Sequence, residues 1–94
     1  MNRRYVIIER SDNFESDDKD YPIRIRAVAV RSTEEKAMDA AFDAAKAALA
    51  ALESMGWTGL RIGFAPDGGI LVTGFSKGRT WTRTYTISST MDFD

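Results

Sequence analysis

The stretch that decides the fold runs from Ser32 to Trp57 and reads STEEKAMDAAFDAAKAALAALESMGW. It is rich in alanine, the strongest helix former, and it contains no proline. Ser32 and Glu35 match a capping box in which Ser32 is the N-cap. Gly56 followed by the apolar Trp57 is typical of a helix C-terminus. The stretch therefore predicts one long helix between these two caps.

Apolar residues inside this helix recur at spacings of three and four, which is the pattern of a single buried stripe. The expected stripe consists of Met38, Ala41, Phe42, Ala45, Leu49, Leu52 and Met55. Such a stripe must be buried against another element, so the flanking segments are expected to supply an apolar surface.

The segments on both sides of the helix have the composition of β-strands. Residues 3–10 and 21–31 precede the helix, and residues 60–64, 70–76 and 79–87 follow it. Turn residues separate the later segments, at Ala65-Pro66-Asp67-Gly68-Gly69 and at Lys77-Gly78. The order ββαβββ predicts an α+β fold with one amphipathic helix on one face of an antiparallel sheet of about five strands.

Two strands show which residues share a face. In the second strand Ile23, Ile25, Ala27 and Ala29 alternate with Arg24, Arg26, Val28 and Val30. Its first half predicts isoleucines facing the core and arginines facing solvent, and its second half indicates a bulge or a more covered stretch. In the last strand Trp81, Arg83, Tyr85 and Ile87 lie opposite Thr80, Thr82, Thr84 and Thr86.

The chain of 94 residues is long enough for one domain, which we assign to residues 1–94. Within it, residues 11–20 are expected to form a mobile acidic loop and residues 88–94 a frayed acidic tail. The chain has no cysteine and no histidine. This excludes disulfides, zinc sites built from Cys or His, and nucleophile pairs that need histidine. We expect no metal, no cofactor and no catalysis, no membrane association, and a cytoplasmic location.

Acidic residues form the first candidate binding surface. They are Asp12, Glu15, Asp17, Asp18 and Asp20 in the loop and Glu35, Asp39 and Asp43 on the helix. They predict contact with a protein partner that has a basic surface. The alternative is a solvated helix face and a loop that only keeps the protein dissolved. The loop lacks the aspartate and glycine spacing of a calcium loop.

Basic residues on the strands form the second candidate surface, made of Arg24, Arg26, Arg61 and Arg79 with Trp81. Arginine and aromatic side chains on one sheet face are typical of a nucleic-acid platform. The formal net charge of −1 argues against a general nucleic-acid binder, because neutralising phosphate supplies most of that affinity. Charged residues at exposed strand positions also keep sheet edges from pairing.

One helix can cover only one face of the predicted sheet. Val28, Val30, Ile70 and Val72 are apolar residues that cannot all lie under it. The uncovered face is therefore expected to contact a partner or a second copy of the chain, forming a homodimer.

Two resemblances bear on function. The segment STEEKA at residues 32–37, which enters an alanine-rich helix after two strands, resembles the helix entry of HicB-type antitoxins. That resemblance implies a nucleic-acid-binding or regulatory module. As a short, cysteine-free chain with an acidic loop and helix, the protein also resembles small phage-encoded inhibitors of bacterial defence, the anti-CRISPR type. This second resemblance implies a non-catalytic protein that occupies a basic surface of a larger bacterial complex, which is our leading hypothesis.

Overall fold

The structure, a computed structural model, describes residues 2–13, 24–66, 68–76 and 78–92. Its elements are β1 (Asn2–Asn13), β2 (Arg24–Arg31), α1 (Glu34–Ser54), β3 (Thr58–Phe64), β4 (Ile70–Ser76) and β5 (Arg79–Asp92). The strands form one sheet in the order β2-β1-β5-β4-β3, and all neighbours are antiparallel. The predicted ββαβββ order and one-helix α+β architecture are confirmed.

The centre of the sheet is the ladder between β1 and β5, in which Asn2 pairs with Asp92 and Asn13 pairs with Trp81. This ladder corrects two predicted boundaries. Residues 11–13 belong to β1 instead of a loop, and residues 88–92 belong to β5 instead of a frayed tail, because each strand supplies hydrogen-bond partners along the other. Residues 14–20 of the predicted loop, residues 21–23 of the predicted second strand and residues 93–94 lie outside the described residues.

The helix begins one residue later than the capping box predicts. Thr33 is the N-cap, with an extended backbone, and its side-chain oxygen accepts a hydrogen bond of 3.2 Å from the Lys36 backbone N–H. Lys36, not Glu35, is thus the third helical residue, so Ser32 and Glu35 do not form a capping box. Glu34 and Glu35 still place two negative charges at the positive end of the helix dipole.

The end of the helix follows the prediction. Trp57 N–H donates to the Leu52 carbonyl and Gly56 N–H donates to the Glu53 carbonyl, each at 3.1 Å. These two bonds form a Schellman motif, which requires a left-handed residue between them. Gly56 supplies it with a φ of 86°.

The stripe that packs on the sheet is made mostly of alanine. The buried helix residues are Ala37, Ala41, Ala45, Ala48 and Leu52. Met38, Phe42 and Leu49 flank this stripe and are half-buried, whereas Met55 is 71% exposed and does not belong to it. Short alanine side chains let the helix lie close to the sheet, whose larger residues fill the interface, chiefly Ile7, Ile70, Val72 and Tyr85.

The opposite sheet face differs from the predicted one. Ile70 and Val72 are buried under the helix, and Val28 packs against the core. Only Val30 of that predicted set faces away from the helix. The uncovered face instead exposes Ile25, Val30 and Phe75, which are 65%, 45% and 48% exposed, beside the predicted threonine row of β5.

Replacing Gly56 by alanine should lower the free energy of unfolding by about 1 kcal/mol, because a side chain is strained at positive φ. A Cβ at Gly56 would meet no atom within 4 Å, so backbone strain is the whole effect. Gly63→Ala is the matched control, since its Cβ is equally uncrowded and its φ is not left-handed. Urea denaturation measures both variants, and equal losses would contradict the assignment of the helix end.

Candidate functional site

A buried carboxylate organises the polar groups on the helix-bearing face of the sheet. Glu9 is 5% exposed. Its Oε1 accepts a hydrogen bond from Arg26 Nε at 2.9 Å, and its Oε2 accepts one from the Tyr85 hydroxyl at 2.9 Å. Arg83 lies close by, with one terminal nitrogen 3.7 Å from Glu9 Oε2 and its Nε donating to Ser11 Oγ at 2.8 Å. We call these five residues the Glu9 cluster.

Strand register brings the Glu9 cluster together. Glu9 pairs with Arg26 across the β1–β2 ladder and with Tyr85 across the β1–β5 ladder. Ser11, two residues further along β1, pairs with Arg83. Residues two apart on a strand face the same side, so all five side chains meet on one face.

The position of Arg26 depends on a β-bulge in β2. Ile7 pairs with Ala29, but Ile8 pairs with Ala27, so Val28 is an extra residue on β2. An extra residue reverses the faces of all residues beyond it. The bulge is one of the two alternatives that the sequence left open, and its consequence was not foreseen.

The bulge inverts the predicted faces of the first half of β2. Arg26 turns to the helix-bearing side and reaches Glu9, whereas Ile25 lies 65% exposed on the other side. The prediction of isoleucine inward and arginine outward is therefore wrong at these two positions. Without the bulge, Ala27 would lie opposite Glu9, and the buried carboxylate would lack this guanidinium partner.

The protein environment clearly shifts the pKa of the Tyr85 phenol. Burial raises this pKa to about 12. Arg83 lowers this pKa, whereas the Glu9 carboxylate, which accepts a hydrogen bond from the phenolic hydroxyl, raises it further. The hydroxyl therefore remains a hydrogen-bond donor at neutral pH and holds the carboxylate in place.

The predicted basic surface is divided between the two faces. Trp81 is buried on the helix-bearing side, where Arg26 binds Glu9. Arg61 is exposed on the opposite side, where it pairs with Thr73 of β4. Arg24 and Arg79 are the first residues of β2 and β5. The structure thus does not gather these residues on one sheet face.

The predicted acidic surface is described only on the helix. Glu35, Asp39 and Asp43 are all exposed along the outer side of α1. Asp12 lies in β1 and pairs with Thr82 instead of belonging to a loop. Glu15, Asp17, Asp18 and Asp20 lie outside the described residues.

Sequence reasoning did not select Glu9 or Ser11. The available signal was that Glu9 is the one acidic residue among residues 3–10, which are otherwise mostly apolar or basic. The other predicted strands carry arginines and tyrosines that could pair with it. Alternation alone could not use this signal, since the pairing of Glu9 with Arg26 depends on the bulge.

No protein-family model matches this chain, and neither a curated protein nor a solved structure is significantly similar to it. Within the residues that the structure describes, no helix combines the length and the apolarity needed to cross a membrane. In the same ranges, no group of three or more acidic side chains is arranged to hold a metal ion.

The raised pKa of Tyr85 predicts a stability that falls at alkaline pH. The unfolded phenol loses its proton near pH 10, whereas the folded one keeps it until about pH 12. The folded state therefore binds more protons in this window, so the contribution of Tyr85 is complete below pH 10 and is lost as pH rises toward 12.

Urea denaturation at several alkaline pH values, compared between wild type and Tyr85→Phe, isolates this contribution. We expect the variant to lose stability less steeply with pH, because the other tyrosines titrate in both proteins. Parallel curves for the two proteins would show that Tyr85 is not the group responsible.

Proposed function

We propose that this chain is a non-catalytic, cytoplasmic binding protein that occupies a basic surface of a larger bacterial complex, as phage-encoded inhibitors of bacterial defence do. The observation that carries the proposal is a line of exposed carboxylates on the outer side of α1. Glu35, Asp39 and Asp43 follow each other at intervals of four residues. We call these three residues the acidic stripe.

The acidic stripe has the geometry of a contact surface. Four helical residues advance by about 6 Å, so its three carboxylates extend over about 12 Å of a helix that is held to the sheet along its other side. Within the described part of the chain, none of the three carboxylates has an ion-pair partner. Carboxylates at i and i+4 repel each other mildly, so helix stability does not explain them.

A role in binding also fits the energetics of exposed charges. Exposed carboxylates keep their hydration until a partner arrives, and complementary charges mainly raise the association rate and select the partner. The buried carboxylate of Glu9, by contrast, is fully engaged by Arg26 and Tyr85. Its engagement favours a structural role over general acid–base catalysis.

The uncovered sheet face supports a second contact, and we propose that two copies of the chain pack through it. This face combines exposed Ile25, Val30 and Phe75 with uncharged threonines on the central strand β5. Five strands about 4.8 Å apart, counted over the seven or eight residues of the shorter strands β2, β3 and β4, span roughly 600 Å² per copy. Two such faces bury about 1,200 Å², the lower end of the range for stable interfaces, so the dimer should be weak.

Neutralising the acidic stripe should slow association with the partner. The partner for this test is a protein complex that the wild-type protein captures from a bacterial lysate, and surface plasmon resonance measures its association rate. We expect this rate to be about tenfold lower for the triple variant Glu35→Gln, Asp39→Asn, Asp43→Asn than for wild type. The wild-type rate should also fall as salt rises, since exposed charges are screened. The single variants Asp39→Asn and Glu34→Gln each remove one negative charge from the helix, but only Asp39 belongs to the acidic stripe. If the position of the charge matters, only Asp39→Asn should slow binding.

Two outcomes would contradict this function. One is a triple variant that binds its captured complex at the wild-type rate in low salt. The other is tight binding of the wild-type protein to random single-stranded or duplex DNA with a steep salt dependence, which would favour a nucleic-acid-binding module.

Sedimentation equilibrium tests the dimer. The wild-type mass should rise with concentration, and Thr84→Lys should keep the protein monomeric because it places a charge at the centre of the sheet face. Ala47→Lys adds the same charge on the exposed side of α1 and should leave the dimer intact. A wild-type protein that stays monomeric at high concentration would rule out the second copy as occupant of this face.

A further inference from the structure

A groove of about 230 Å³ lies between the C-terminal half of α1 and the sheet. Ala48, Ala51, Leu52 and Met55 line its helix side, and Trp57, Trp81 and Arg83 line the other side. The chain has two tryptophans, and both line this groove. Among the residues that the structure describes, the walls are thus apolar and aromatic with a single cation.

The groove exists because the helix carries small residues where it passes Trp81. Ala48 is buried and Ala51 is exposed, and neither side chain is long enough to fill the space beside the tryptophan. Met55 is 71% exposed at the same end of the helix. An exposed methionine beside two tryptophans is an adaptable apolar surface rather than part of the core.

The cation in the groove is held in place before any ligand arrives. Arg83 lies over the Trp81 ring, with its guanidinium carbon 4.5 Å from the ring centroid. Its Nε donates to the buried Ser11 hydroxyl, and Glu9 lies 3.7 Å from a terminal nitrogen. The side chain remains 26% exposed, so part of the guanidinium is accessible. A side chain already fixed in this way loses little entropy on binding.

The local charge selects the kind of ligand. Glu9 is the one carboxylate of the Glu9 cluster, and it faces two guanidinium groups, those of Arg26 and Arg83. The cluster therefore has one positive charge in excess. A planar guanidinium suits a carboxylate, whereas the apolar walls suit a hydrocarbon or aromatic body.

We propose that this groove binds a small apolar carboxylate, with its body between α1 and the tryptophans and its carboxylate at Arg83. The volume is below the range of about 300–1,000 Å³ typical of sites for drug-sized ligands. The occupant is accordingly a free acid with roughly ten non-hydrogen atoms, not a nucleotide cofactor or a peptide segment.

Hydrocinnamate and its uncharged primary amide are matched probes for this site. The indole N–H signals of Trp57 and Trp81 in a nitrogen–proton correlation NMR spectrum report on the groove without interference from other tryptophans. We expect hydrocinnamate to shift both signals with a dissociation constant of about 1 mM, the affinity of a fragment-sized ligand. The amide should bind about tenfold more weakly, because it cannot form a charged pair with Arg83.

A variant that fills the groove tests the location. Ala51→Leu places a larger side chain in the groove at an exposed helix position and should weaken hydrocinnamate binding about tenfold or more. Ala47→Leu is the matched control, since Ala47 is exposed on the same helix outside the groove, and it should bind as wild type does. The thermal unfolding of both variants verifies that they are folded.

Three results would overturn the proposal: indole signals that hydrocinnamate does not shift, equal affinities for the acid and the amide, or an Ala51→Leu variant that binds as wild type does. A capped peptide containing Phe-Glu provides a further comparison. If it bound more tightly than hydrocinnamate, the occupant would be a side chain of a partner protein and the assignment to a free acid would be wrong.

Discussion

The pairing of β1 with β5 constrains the rest of the structure. It joins the N-terminal strand to the C-terminal strand at the centre of the sheet, from Asn2 with Asp92 to Asn13 with Trp81. With the centre occupied, β2 takes the edge beside β1 and β3 takes the edge at the far side of β4. The helix that joins β2 to β3 must therefore cross the whole sheet, and it contacts all five strands. Contacts between residues so distant in sequence cost loop-closure entropy before they add stability, which predicts slow folding for a chain of this size.

The crossing explains why the helix carries alanine on its buried side. A helix that follows one strand can place large side chains into the grooves of the sheet, but one that crosses five strands meets different side chains along its length. Ala37, Ala41, Ala45 and Ala48 let it approach the large residues of the sheet along most of that path. Gly74 does the same from the sheet side, since a Cβ there would lie 3.0 Å from Leu60 Cδ2 and 3.5 Å from Leu52 Cδ1. The same small residues leave the groove beside Trp81 open.

Local signals predicted the parts of the fold that local chemistry determines. The end of the helix at Gly56 needed only the requirement for positive φ, and the ββαβββ order of elements along the chain followed from composition and turn residues. The N-cap was misplaced because Ser32 and Thr33 are both good capping residues and the sequence does not distinguish them. The features that the sequence did not predict are those that depend on pairing between strands distant in the chain. Residues 88–92 are too polar to indicate a strand, yet they extend β5 because β1 offers partners, and the bulge at Val28 is visible only in the pairing of β2 with β1.

The candidate site depends most on that bulge. Without the extra residue, Ala27 would lie opposite Glu9 and the carboxylate would lack the guanidinium that Arg26 provides. Burying a carboxylate is costly unless charged and hydrogen-bonding partners compensate, so the bulge and the buried Glu9 depend on each other. Glu9 in turn helps to fix Arg83 against Trp81, which places a cation beside an apolar groove. The acidic stripe needs no such support, because its exposed carboxylates require only a stable helix. The positive groove thus lies between the helix and the sheet, whereas the negative stripe lies on the outer side of the same helix.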